Sequence, residues 1–184
     1  MRSQSVLIVV PIHSSSLALA PKPFSAAIMP NRRPKQVKSW SMYPDLHDDV
    51  AGLLDDDGLK FTFHHEDDDR DCIKNYDTNV MGRFACRNAN CSSHGWSSKR
   101  IAITIRLYRD NKYNARIWHQ RCKRCNQLSK PLLDDSYSER VAYRIKKWSG
   151  IALEAPRYYG TANAPHETKF CEGCEHGHCR QLNG

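Results

Sequence analysis

The sequence predicts a small α+β domain: one β-hairpin, one amphipathic helix and a cysteine-rich C-terminal loop, preceded by a disordered tail. Three observations predict it. Two consecutive segments between residues 100 and 121 alternate apolar and polar side chains. A segment between 134 and 149 carries an apolar stripe at helical spacing. Seven cysteines in three short-spaced groups are set around these elements. The totals agree with a modest core. The chain has 184 residues, 40% of them hydrophobic, and a mean hydropathy of -0.69. Small domains with limited apolar content commonly need a metal or disulfide staple.

The elements follow in chain order. Residues 1–40 are rich in Pro, Ser and Ala, carry six bases and no acid, and show no sustained periodicity. They read as a disordered basic tail. Within them "SVLIVVPI" is too short to span a bilayer. A cleavage site at Ala18-Leu19-Ala20 would be followed directly by Pro21, and Pro11 interrupts the apolar run, so secretion is disfavoured. Residues 41–80 hold twelve acids against three bases, in blocks such as "DDDGLK" and "HHEDDDRD". Like-charge runs self-repel and stay solvated, so this stretch reads as an acidic linker, largely disordered. Its charge complements the basic domain that follows, against which it can lie. Residues 81–180 form the folded domain and 181–184 a short tail.

In "RIAITIRLYR", Ile101, Ile103, Ile105 and Leu107 fall on one face and Ala102, Thr104, Arg106 and Tyr108 on the other. That is a half-buried strand. "DNK" supplies a turn. "YNARIWHQR" alternates again, which completes a hairpin. In "DDSYSERVAYRIKKWSG", Tyr137, Val141, Ile145 and Trp148 make one helical stripe. Asp134, Asp135 or Ser136 caps its start, Lys146 and Lys147 suit its last turn, and Gly150 suits its end. Residues 151–164 read as a loop, with Pro156, Gly160 and the following Pro165 as punctuation.

Eight cysteines occur, and Cys72 stands apart in the acidic stretch. The other seven form a pair (Cys86, Cys91), a C-x2-C (Cys122, Cys125) and a C-x2-C-x4-C (Cys171, Cys174, Cys179). Disulfides are disfavoured by the odd count and the doubtful secretion signal. A thioredoxin-like motif would sit where a strand enters a helix, and Cys122 instead follows a hairpin. A c-type haem needs His directly after the second cysteine, where Asn126 and Glu175 stand. Zinc fits, because C-x2-C lets two thiolates bind one tetrahedral ion from a tight turn. Seven thiolates and one imidazole make two closed sites. The first is Cys86, Cys91, Cys122 and Cys125, closing the open end of the hairpin as in a zinc ribbon. The second is Cys171, Cys174 and Cys179 with one histidine. His176 and His178 lie too close in sequence to Cys174 and Cys179 to converge with them, so His166 is the expected ligand. A crossed arrangement, with Cys86 and Cys91 joining Cys171 and Cys174, stays open. The fold class is then a small α+β zinc-stabilised domain: a zinc-ribbon-like β-hairpin, one amphipathic helix and a C-terminal zinc-binding loop.

The ordered run of "GRFACRNANCSSHGWSS", "IRLYRDNKYNARIWHQRCKRC", "YSERVAYRIKKWSG" and "PHETKFCEGCEHGHC" resembles the 3CxxC-type zinc finger family over about residues 81–180. That family includes many uncharacterised fungal proteins and the vertebrate receptor-transporting proteins. Pro165, His166, Cys171, Cys174, Gly177 and Cys179 match its end pattern. "CEGC" and the lack of a transmembrane tail are more similar to the fungal members. The sequence departs from the family at Cys86 and Cys91, which are C-x4-C rather than C-x2-C.

No Ser, His and Asp spacing suggests a triad, and closed zinc sites leave no position for a reacting water, so no enzyme activity is expected. Zinc, two ions with a structural role, is the expected cofactor. The expected function is a protein-interaction module. The resemblance implies assistance to membrane-protein folding or trafficking, with a membrane protein as partner. The alternative is RNA or single-stranded nucleic acid, bound through Arg106, Arg116, Trp118, Lys123 and Arg124 on or beside the hairpin. No small-molecule substrate is expected. No segment reaches the ~20 apolar residues of a membrane span, and the expected location is cytoplasmic, with the nucleus as alternative.

Overall fold

The computed structural model describes residues 38–154 and 166–180. The tail expected at 1–40, apart from its last three residues, lies outside the described residues. So do most of the loop at 151–164 and the tail at 181–184.

A six-stranded sheet forms the frame. Its strands are β1 (Trp40–Ser41), β2 (Thr62–Phe63), β3 (Lys74–Ala85), β4 (Gly95–Tyr108), β5 (Lys112–Trp118) and the later β8 (Pro131–Leu133). The order is β1-β5-β4-β3-β8, with β2 also pairing β5, in parallel. Between β5 and β8, β6 (Gln120–Arg121) and β7 (Leu128–Ser129) form a separate two-stranded ribbon. The helices are α1 (His47–Asp55), α2 (Ser136–Trp148) and the short α3 (Glu172–Glu175).

The alternation read from the sequence sets the register of β4 and β5. Ile103 pairs with Ile117 and Ile105 with Ala115. On this face Val80, Ile101, Ile103, Ile105, Tyr113 and Ile117 pack with Val50 and Leu54 of α1 and with Tyr137, Val141 and Ile145 of α2. Each fully buried aliphatic side chain contributes roughly 1.5–3 kcal/mol relative to exposure. Asp110 (φ 57) and Asn111 (φ 52) make the predicted turn in the left-handed region, which Asp and Asn tolerate better than most residues. The helix predicted at 134–149 is α2. Asp134 accepts the Ser136 N–H at its start (3.1 Å). Gly150 (φ 86) ends it, with Ile151 N–H donating to Lys146 O at 3.0 Å.

The acidic linker expected at 41–80 is corrected by the structure. These residues carry α1, β2 and the first half of β3. Val50 and Leu54, one helical turn apart among six nearby aspartates, are fully buried. Lys146 at the end of α2 pairs with Asp57. The "HHEDDDRD" segment folds over the second face of the sheet. Asp67 and Asp69 both pair with Arg106 and Arg116, and Tyr108 donates to Asp68 O at 2.9 Å. Asn114 donates to the carbonyls of His64 (3.2 Å) and Glu66 (2.8 Å). The carboxylates that read as self-repelling are counterions for two strand arginines, and that compensation folds the segment.

The candidate metal centres

The first centre lies where β3, β4 and the β6–β7 ribbon meet. Cys86 follows β3, Cys91 precedes β4, and Cys122 and Cys125 sit between β6 and β7. All four sulfurs lie within 4.8 Å of one another. Cys86 Sγ is 3.5 Å from Cys125 Sγ, and Cys91 Sγ is 3.9 Å from Cys122 Sγ. A tetrahedron with Zn–S bonds of about 2.3 Å has edges of about 3.8 Å, so the donors match zinc in type and spacing. Each sulfur accepts the backbone N–H two residues on, from Asn88, Ser93, Arg124 and Gln127 respectively. The two extra residues of the C-x4-C are absorbed in a turn closed by Cys91 N–H to Asn88 O (3.0 Å). Asn126, at φ 60, returns the chain after Cys125, and its N–H donates to Cys122 O (2.8 Å).

The second centre gathers His166, Cys171, Cys174 and Cys179, again within 4.8 Å. His166 Nε2 is 3.1 Å from Cys174 Sγ and 3.5 Å from Cys179 Sγ. The expected groups are therefore sequential, and the crossed arrangement does not occur. Cys171 bridges to Gln120, and Glu172 N–H donates to His119 O (3.1 Å), so α3 is hung from β6. Arg121 Nε donates to Glu172 at 2.5 Å. Gly173 lets α3 press on the sheet: a Cβ there would lie 2.4 Å from Ala102 Cβ. Its carbonyl accepts N–H bonds from His178 (2.7 Å) and Cys179 (3.0 Å), which curls Cys179 back toward Cys174.

His176 and His178 are absent from this donor set. Both stack on Trp118, with ring centroids 4.8 and 4.9 Å away. His178 Nδ1 also faces the Asp77 carboxylate at 3.2 Å. Asp77 accepts from Thr104 Oγ1 (2.6 Å), which accepts from the Trp118 indole (3.1 Å). Asn79 donates to Arg180 O at 3.0 Å and ties the end of the described chain to β3. The sequence does not mark Asp77, Asn79, Thr104 or Gly173, because their roles exist only after β3, β4 and α3 are stacked.

The electrostatics favour a cation. Cys122 is only 1% exposed, yet N–H bonds from Arg124 and Cys125 outweigh burial and bring its thiol down to about 6. The Cys179 thiol and His166 draw Cys171 down against burial, whereas Cys171 and burial push Cys179 up. Within each group some thiols are drawn down and others pushed up by their neighbours. Zinc needs every thiolate, so its uptake releases protons, and acid opposes it.

The hairpin expected as a nucleic-acid surface is corrected here. Arg106 is 2% exposed and held by Asp67, Asp69 and Asn114. Arg116 is occupied by the same two carboxylates. Trp118, 3% exposed, lies under the two histidines. Lys123 pairs with Glu167 (2.8 Å), and Arg124 is exposed. The residues are not brought together on one accessible face, because the acidic segment and the C-terminal loop cover that side of the sheet.

A sheet whose strand ends carry two four-donor cysteine and histidine centres defines a zinc-ribbon type of protein. The model of the family Zn_ribbon_3CxxC, a zinc-binding domain, matches residues 79–177. The chain belongs to that family. No curated protein and no solved structure matches it significantly.

Proposed function

We propose that both centres hold structural zinc, ligated by Cys86, Cys91, Cys122 and Cys125 and by His166, Cys171, Cys174 and Cys179. The domain they hold together is a protein-interaction module rather than an enzyme. The observation that carries this reading is closure. Each centre offers four protein donors within 4.8 Å, whereas a catalytic zinc keeps one position for water or substrate. The zinc secures the β6–β7 ribbon and the C-terminal loop, which have few fully buried apolar side chains of their own. The resemblance to receptor-transporting proteins gives the partner class: a membrane protein during folding or trafficking, met on the cytoplasmic side. Among the described residues no helix is long and apolar enough to cross a membrane. The nucleic-acid alternative is weakened by the burial of Arg106 and Trp118 and by the two carboxylates that occupy Arg116.

The test is capture by the zinc-loaded full chain from detergent-solubilised cells after nuclease treatment. Recovery of membrane proteins that survives nuclease and is lost on chelation is the expected result. Retention on RNA that falls steeply with salt, and is lost in Arg124→Ala, would replace it with the alternative.

A further inference from the structure

β1 and β2 both pair with β5, but at separate stretches. Trp40 and Ser41 lie opposite Trp118 and Ile117, and Thr62 and Phe63 lie opposite Lys112 and Tyr113. The notch between them opens into a groove of about 380 Å³. That volume is within the range of ordinary ligand pockets. Trp40, Met42 and Phe63 supply apolar wall. His119, 6% exposed, closes the base, and its Nε2 lies 2.8 Å from Ser41 Oγ. Lys38 and Lys130 bring two ammonium groups, and no carboxylate lines the groove.

Those two lysines differ from the five cations that the fold pairs internally around its sheet, ribbon and second helix. Arg106, Arg116, Arg121, Lys123 and Lys146 are each neutralised by an acid of the same chain. Lys38 and Lys130 lie over the rings of Trp40 and Tyr43, each at 4.4 Å, and have no ion pair among the described residues. The groove therefore offers positive charge beside apolar surface, and its complement is an anion with an apolar body. The chain's own N-terminal segment does not supply one, since residues 1–37 contain no Asp or Glu.

We propose that this groove binds an acidic peptide segment of a partner protein, with one aromatic or aliphatic side chain in the notch and flanking carboxylates on Lys38 and Lys130. The inference rests on the protein-interaction reading and names its contact surface. Lysine ammoniums act as point charges and suit single carboxylates. Arginine forks suit bidentate phosphate recognition better, and none lines the groove.

The test is a titration of the ¹⁵N-labelled, zinc-loaded full chain with acetyl-Asp-Asp-Phe-Asp-Asp-amide, read by NMR. The expected shifts fall on the Trp40 indole and the Ser41 and His119 amides. The Asn-Asn-Phe-Asn-Asn counterpart and the Lys38→Glu/Lys130→Glu variant should each bind about tenfold more weakly or worse. The variant's zinc content and remaining spectrum should be unchanged, since both lysines are exposed. Equal binding of the neutral peptide, or no shift at these residues, would overturn the proposal. Stronger shifts at the same residues with a thymidine decamer would overturn it in favour of a nucleic acid. No peptide binding by the unsubstituted chain, or membrane-protein capture undiminished in the Lys38→Glu/Lys130→Glu variant, would sink the groove and spare the wider reading.

Discussion

At the residue scale the second centre depends on a side chain that is missing. Gly173 stands between two cysteine donors, and its absent Cβ is what allows α3 to touch Ala102 and Trp118. Gly173→Ala would place a methyl group 2.4 Å from Ala102 Cβ, deep in the sheet face. Overpacking of that kind costs about 1–3 kcal/mol. We expect that loss in urea unfolding at fixed free zinc, together with easier zinc release to a competing chelator. Gly52 in α1 is the contrast, because a Cβ there meets nothing within 4 Å. Gly52→Ala should be neutral or stabilising by up to about 1 kcal/mol. Equal effects of the two substitutions would contradict the packing account. The gathering of the eight donor side chains into two groups was legible in part. C-x2-C spacing pairs Cys122 with Cys125 and Cys171 with Cys174, whereas His166 came from the need for an eighth donor and the pairing order stayed open. Gly173 was legible only as part of that motif, because its neighbours come from residues 102 and 118.

At the element scale, alternation and stripe were reliable where one face of an element is apolar. β4, β5 and α2 appear where the sequence puts them, with Ile103, Ile105 and Ile145 fully buried. The acidic segment was misread because its charge pattern hides its apolar one. Val50 and Leu54 are spaced for a helix, but aspartates surround them. The polar residues of β4 and β5 are also informative in retrospect. Arg106 and Arg116 sit on the face opposite the isoleucines, and a strand arginine with no water to face needs a carboxylate. Asp67 is that partner for both. Removing one member of a buried pair leaves an uncompensated charge and is strongly destabilising. Asp69 remains in Asp67→Ala, so the expected loss is at the lower end, about 3 kcal/mol. The double change Asp67→Ala/Arg106→Met should recover most of it in the same unfolding measurement. A neutral single variant would show that the segment's docking does not depend on this pair.

At the scale of the whole molecule, the formal charge of +8 hides an internal balance. Residues 41–80 carry a net charge of -9 and residues 81–184 a net charge of +11, and the first folds onto the second. The remaining cohesion is assigned to metal. The β6–β7 ribbon and the loop from His166 to Arg180 contain few fully buried apolar side chains, and each is anchored by one four-donor centre. The central claim is therefore a count. Native mass spectrometry of the zinc-loaded chain should find two zinc ions per molecule, and one in Cys91→Ser or in His166→Ala. A single zinc in the unsubstituted chain, or two retained in both variants, would contradict the assignment of eight donors to two centres.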